Sequence, residues 1–385
     1  MKNKKVLVGL SGGVDSAVAA YLLKNAGYDV SCAFMRNWDS FANNDINGNP
    51  TIDDDVCPQE EDYMDAKRVA DKLGLELLRV DFVGEYWDYV FTYFLEEYKK
   101  GRTPNPDILC NKYIKFDYFL KYAEELGFDY LATGHYAQVQ HSESESILLR
   151  GTDQNKDQTY FLCQISQKSL QKTLFPIGDI EKKEVRRIAK ELKLDIAEKK
   201  DSTGICFIGE RNFREFLKNY LPARNGKIID IDTNKIIGEH IGVLYYTIGQ
   251  RKGLGIGGDG GPWFVIGKDI EKNELYVCSK EDNPWLFADS CYVSGVNWFT
   301  REKKAKTFAC SAKFRYRQKD NEVTVEILDN DDVMVYFHKQ ISSITPGQEA
   351  VFYDGDICLG GGVIEHAYCK KEDIKKLLEE KRNAK

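Results

Sequence analysis

Between Val6 and Ser16 an apolar run of strand length, Val6-Leu7-Val8-Gly9-Leu10, passes directly into Ser11-Gly12-Gly13-Val14-Asp15-Ser16 and then into Ala-rich sequence with helical spacing. Strand, glycine turn and helix in that order commit the chain to a β-α unit whose turn exposes backbone amides. Glycine lets the backbone approach an anion closely, and the helix N-terminus adds the favourable end of its dipole. The residues Gly9, Leu10, Ser11, Gly12, Gly13, Val14, Asp15 and Ser16 therefore form a candidate phosphate cradle, with hydroxyl donors at Ser11 and Ser16. A Walker A loop carries Lys directly before its Ser or Thr to reach the terminal phosphates. None stands here, so the cradle suits a pyrophosphate.

The pattern Ser-Gly-Gly-x-Asp-Ser after an N-terminal strand resembles the PP-loop of the ATP pyrophosphatases. The resemblance implies ATP cleaved between its α and β phosphates and a substrate adenylated. Mg²⁺ is expected on the phosphates, with Asp15 either as its ligand or as an acceptor that stiffens the loop. GMP synthetases, argininosuccinate synthetases, lysidine synthetases and tRNA thiolases share the motif, which does not choose among them.

With 385 residues, 42% hydrophobic and 30% charged, the chain is expected to hold more than one domain and to bury a sizeable core. The formal net charge of −7 means that a polyanion must be held by a local basic patch, not by the whole protein. No apolar run approaches membrane-spanning length, and Met1 to Lys5 enters the first strand without leader character, so a cytoplasmic protein is expected. The ten cysteines include no Cys-x-x-Cys pair and no metal-ligand spacing with the five histidines. No metal-binding residues are assigned.

In order along the chain, Asp29 to Phe34 reads as a second strand ending at Met35, and Leu75 to Val80 as a third. Between them, Asp53 to Asp62 carries six acids and no base, which suggests a solvated loop that repels RNA. Tyr63, Ala66, Ala70 and Leu73 mark one helical face. Val83 to Lys100 reads as an aromatic helix, broken by a rigid loop from Gly101 to Asn111 that contains Pro104 and Pro106. A helix from Ile114 to Leu126 and a strand Tyr130 to Thr133 lead to Gly134-His135-Tyr136, and Gln138 to Arg150 reads as a hairpin. Such alternation implies a doubly wound parallel sheet with ligands at the C-terminal strand ends, where Ser11, Met35 and Gly134 fall. Past Arg211 the pattern changes, short strands and glycine turns dominate from Gly226 onward, and Trp285 to Tyr368 suggests a small antiparallel barrel. The tail from Lys370 reads as a frayed helix.

Three further stretches narrow the resemblance: Asn105-Pro106-Asp107 with Cys110, Ser202 to Gly209 around Cys206, and Tyr246 to Gly258. Together they are similar to the tRNA-specific 2-thiouridylases, over about Lys5 to His366. The implied fold is α/β: a doubly wound parallel-sheet PP-loop domain at 1–209, a small mixed central domain at 210–284, a C-terminal antiparallel β-barrel at 285–369 and a charged tail at 370–385. Two departures from the family pattern bear on RNA contacts: Ser40 to Asp55 is long, and Gln138 stands where a basic residue is common.

A pyrimidine C2 carbonyl has no usable leaving group, so exchanging its oxygen for sulfur needs adenylation first. Sulfur must then arrive as a nucleophile, which cysteine chemistry supplies as a persulfide or as sulfide released from one, while a second cysteine attacks or resolves the persulfide. Cys110 and Cys206 both lie in polar loop sequence, and the resemblance makes Cys206 the persulfide carrier and Cys110 the nucleophile. Asp107 is a general acid/base candidate whose plain alternative is turn chemistry. The resemblance places Asn105, Pro106 and Asp107 against the target base, Met35 and Gly134 at the nucleotide, and His135, Lys156, Asp157, Gln158, Arg315, Tyr316 and Gln348 on tRNA. Arg301 to Lys319 supports RNA binding independently, with eight Lys or Arg against one acid. Cys57 stands between roles, and the cysteines at 32, 163, 278, 291, 310 and 358 read as small buried hydrophobes. The expected partners are tRNA and a persulfide sulfur donor protein. The rival readings are another PP-loop enzyme that adenylates a different base or a carboxylate, and a nucleotide-sensing RNA-binding protein.

Overall fold

The apolar run at the N-terminus is buried on both faces, with Val6 and Val8 turned to one hydrophobic cluster and Leu7 to another. That is the environment of a central strand in a parallel sheet. In the computed structural model, which describes residues 4–47, 49, 58–201, 212–257, 260–300 and 305–384, the first elements are β1 (Lys5–Gly9), α1 (Val14–Asn25), β2 (Asp29–Arg36), α2 (Pro58–Leu73), β3 (Leu77–Asp81) and β4 (Tyr130–Ala132). A hairpin of β5 (Ala137–His141) and β6 (Ser146–Arg150) follows, then a short β7 (Thr173–Leu174). The sheet order is β3-β2-β1-β4-β7, and every pairing is parallel. The chain steps outward from β1 to β3 and returns to the other side of β1 as β4. The turn after β1 and the turn after β4 thus flank the switch point, where doubly wound folds bind ligands.

Four strands within residues 226–279 form a separate central sheet. Beyond it, six strands between Phe287 and Cys369 close into an antiparallel barrel through pairing of Phe287–Trp298 with Ile357–Cys369. The hairpin of the first unit joins this barrel's sheet, with Leu148 opposite Cys358 and Leu149 opposite Ile357. No described helix is long and apolar enough to cross a membrane.

Two local expectations change, and one long segment finds its place. The tail is not frayed: Ile374–Asn383 is a helix capped by the Asp373 carboxylate, with Leu378 buried and Arg382 paired to Glu274 of the central sheet at 2.9 Å. Of the acidic stretch Asp53 to Asp62, residues 53–57 lie outside the described residues, and its last acids stand on α2 rather than in a loop, Glu60 and Asp62 in exposed ion pairs. Glu60 pairs with Arg79, while Asp62 and Asp65 both pair with Lys199. The long segment after β2 docks onto the chain near 219, where Tyr220 Oη donates to the Asn43 carbonyl and Asn219 bonds Asn47.

Candidate active site

The cradle is shaped by close backbone packing. Gly12 has φ +77°, and a Cβ there would sit 2.3 Å from the Asp62 carbonyl oxygen. Gly134 lets the turn after β4 press onto the start of α1, since its Cβ would lie 2.7 Å from the Ser16 nitrogen. Ser16 Oγ accepts from the Ser11 amide at 3.1 Å and donates to the Gly13 carbonyl, while Ser11 itself is exposed. Met35, at the end of β2, is buried, with its terminal methyl 3.5 Å from where a Gly9 Cβ would stand.

A lysine from far along the chain comes to the loop. Lys182, at the start of the helix Lys182–Glu191, places Nζ 2.7 Å from both Asp15 carboxylate oxygens. Lys199 Nζ reaches the Gly12 carbonyl at 3.4 Å. Tyr136 Oη also donates to Asp15, at 2.8 Å. Burial, reinforced by the Asp15 charge, pushes the Tyr136 phenol pKa far up, so it stays a donor. Asp15 is thus held by a lysine and a tyrosine. Asp201 gathers Lys156, Lys182 and Arg186 at 2.7 to 2.8 Å. Burial alone would raise its pKa, but hydrogen bonds and charge from Lys156 and Lys182 hold it down to about 2. No local pattern announces Lys182, Lys199, Tyr136 or Asp201 as site residues.

Cys110 is not in a loop. Asn105 caps a helix by accepting from the Asp107 amide at 3.2 Å, Pro106 takes the first helical position, and Pro106–Leu109 continues through the wide π-helical turns Cys110–Tyr118 into Phe119–Glu125. An Asx residue followed by Pro is a helix-start signal as much as a loop signal, and here the start wins. Cys110 is fully buried, and Asp107 lies in the first turn, partly exposed. Cys206 and the surrounding 202–211, like Cys57, lie outside the described residues. Cys32, Cys278 and Cys358 are buried, and that burial pushes each thiol up to about 12, as befits inert packing residues.

The expected RNA contacts divide. Lys156 is partly exposed, and Gln158 bonds the Tyr136 backbone in both directions, through its amide at 2.8 Å and its side-chain oxygen at 2.9 Å. Asp157 is buried and spent on the Gly151 amide, on Thr159 and on an ion pair with Arg150. His135 is buried beside Phe116 and Phe175, bonded to Thr133 Oγ1 at 2.7 Å, and burial lowers its pKa so that it is neutral. Neither side chain is presented as a surface ligand here.

The C-terminal basic stretch dissolves in part. Residues 301–304 lie outside the described set, Phe314 is in the barrel core, and Tyr316 packs on Phe161 with ring centroids 4.4 Å apart. Arg317 and Lys319 remain exposed. Arg315 turns inward and donates through Nη2 to the Ile248 and Ser343 carbonyls and to Thr345 Oγ1, at 2.6, 3.0 and 2.7 Å. It struts the barrel against the central unit. Arg315→Ala is therefore expected to cost about 2 to 4 kcal/mol of stability, because partly buried acceptors lose their donor. Denaturant unfolding checks this; unchanged stability with weakened tRNA binding would restore the direct-contact reading.

Gln348 is likewise engaged. Its Nε2 donates to the Thr103 carbonyl at 2.7 Å, and the Thr103 amide donates to the Pro346 carbonyl at 3.0 Å. Arg102 pairs with Glu97 and with Glu365 of the barrel. The barrel thus grips the residues just before Asn105 and sets where the helix of Asp107 and Cys110 begins. A continuous path joins the two halves of the site: Asp15 to Tyr136, Tyr136 to Gln158, along the chain to Phe161, whose carbonyl accepts from Asn111 Nδ2 at 2.9 Å beside Cys110.

Family models match over the whole of this architecture: a tRNA methyl transferase HUP domain at residues 4–210, a tRNA methyl transferase PRC-barrel domain at 214–279 and an aminomethyltransferase beta-barrel domain at 288–364. The tRNA-specific 2-thiouridylase MnmA of Mycoplasma capricolum subsp. capricolum is 58% identical over 369 residues, covering 94% of this chain and 98% of that protein. A protein of the same name from Mesoplasma florum is also 58% identical, covering 94% and 99%. MnmA 1 of Geobacillus kaustophilus is 55% identical over 367 residues, covering 95% and 96%.

Proposed function

The chain belongs to the tRNA-specific 2-thiouridylases, enzymes of tRNA sulfur transfer, and on that footing we propose how its residues divide the reaction. The observation that carries the proposal is the hydrogen-bonded path from Asp15 to Asn111, which ties the phosphate cradle to the helix of Cys110.

The uridine C2 oxygen attacks the α-phosphorus of ATP. Pyrophosphate departs into the amides and hydroxyls of Ser11 to Ser16, with Lys182 and Lys199 supplying the charge the loop lacks. Mg²⁺ arriving with the phosphates would add further charge neutralisation. The terminal sulfur of a Cys206 persulfide then adds to C2, and AMP leaves with the former C2 oxygen. The Cys110 thiolate attacks the Cys206 sulfur, the sulfur–sulfur bond to the substrate breaks, and its electron pair completes the thiocarbonyl. The resulting Cys110–Cys206 disulfide is reduced by external thiols, and a persulfide donor protein recharges Cys206. Asp107 handles the proton at the base, and Asn105 and Pro106 hold the turn that presents it. Lys156, Tyr316, Arg317 and Lys319 form the tRNA side, and a cytoplasmic location fits a tRNA substrate.

Incubation of the chain with unmodified tRNA, ATP, Mg²⁺ and a persulfide source is expected to yield 2-thiouridine by mass spectrometry, with AMP and pyrophosphate in step. ADP in place of AMP would sink the mechanism.

A further inference from the structure

Asn37 is the first residue after β2 and is completely buried, yet neither Nδ2 nor Oδ1 of its side chain has a hydrogen-bond partner. Its neighbours are satisfied. Arg36 is paired to Asp39 and Asp81, and Trp38 Nε1 donates to Asp45 at 3.1 Å. Leaving both ends of a primary amide unmet in the interior is costly, and native proteins do so rarely without a functional reason. The position supplies one. Asn37 stands at the carboxyl end of the strand beside β1, two residues beyond Met35, whose methyl reaches the Gly9 end of the cradle.

We propose that Asn37 reads the edge of a planar base at this site, pairing its donor and acceptor with an adjacent acceptor and donor on the ring. An amide suits such an edge because both of its hydrogen bonds lie in one plane. Two bases of the reaction carry the chemistry: adenine, through its 6-amino group and a ring nitrogen, and the target uracil, through N3–H and a carbonyl. The uracil case rests on the thiouridylase reading; the adenine case needs only ATP binding.

The test compares the full-length chain with Asn37→Leu, which keeps the volume and removes both polar atoms. One arm measures equilibrium binding of ATP against purine riboside triphosphate, which lacks the 6-amino group. The other measures pyrophosphate release with saturating ATP and tRNA bearing uridine or N3-methyluridine at the target. Wild type is expected to discriminate about a hundredfold in one arm, and the variant to lose that discrimination there while melting no lower than wild type. The arm that collapses names the base. Wild-type discrimination retained by the variant in both arms overturns the proposal, and Asn37 is then an interior amide met by water. Should Asn37→Leu fold poorly, Asn37→Asp replaces the amide donor at equal size, and each ratio is taken within one preparation. If wild type releases no pyrophosphate with either tRNA, the function reading fails, and the ATP arm still decides Asn37.

Discussion

Replacing Cys110 by alanine is expected to abolish 2-thiouridine formation, a fall of about a thousandfold or more, because in the proposed scheme the Cys110 thiolate attacks the Cys206 sulfur and frees the thiocarbonyl. Adenylation should survive. ATP and the C2 oxygen meet in the cradle of Ser11 to Ser16, and Cys110 touches neither the leaving pyrophosphate nor the α-phosphorus in the proposed scheme. Pyrophosphate release that persists without thiolation is the signature to seek, alongside the same split in Cys206→Ala. The internal control is Cys278→Ala. That thiol is buried in the central sheet and pushed up to about 12 by burial, so its removal should lower stability modestly and leave thiolation intact. Full activity in Cys110→Ala would refute the two-cysteine cycle.

Gly12→Ala is expected to strike the other half of the reaction. The added methyl would fall 2.3 Å from the Asp62 carbonyl oxygen, a backbone atom of α2 that cannot rotate away, and the φ of +77° is strained for any residue with a Cβ. Either the loop shifts or α2 does. A shift of about 1 Å in the amides that receive pyrophosphate costs on the order of a hundredfold in rate. The tRNA-dependent release of pyrophosphate should fall accordingly, with tRNA affinity unchanged. Near wild-type release would mean that the cradle is not where pyrophosphate leaves.

The cradle itself was legible because its constraint is local. Glycines, hydroxyls and the start of a helix are consecutive, and the amides they expose are backbone groups. The order of strands and helices likewise announced the parallel sheet, since strand and helix periods differ and alternate cleanly up to Gly134. Cys110 was legible as a candidate for the sulfur chemistry, but its helical setting was not legible, because Asn-Pro-Asp fits a turn and a helix start equally well. What tipped it to helix was the buried face of Ile108, Ile114 and Phe116, which lies downstream.

The basic stretch divides for a related reason. Charge along a strand says how many cations there are, not which way they point. Arg315 found three acceptors between two units and turned in, whereas Arg317 stayed out.

By itself, then, the order of residues determined that a glycine turn joins the first strand to a helix in a parallel sheet, that an antiparallel barrel follows, and that the chain is similar to the tRNA-specific 2-thiouridylases. Only the tertiary structure decided where the cradle finds its cations and what the barrel does to the helix of Cys110. Lys182 lies 167 positions from Asp15 and Gln348 lies 245 from Thr103. Contacts of that span depend on how three units pack, and packing is set by the whole buried surface, not by the residues that happen to meet across it.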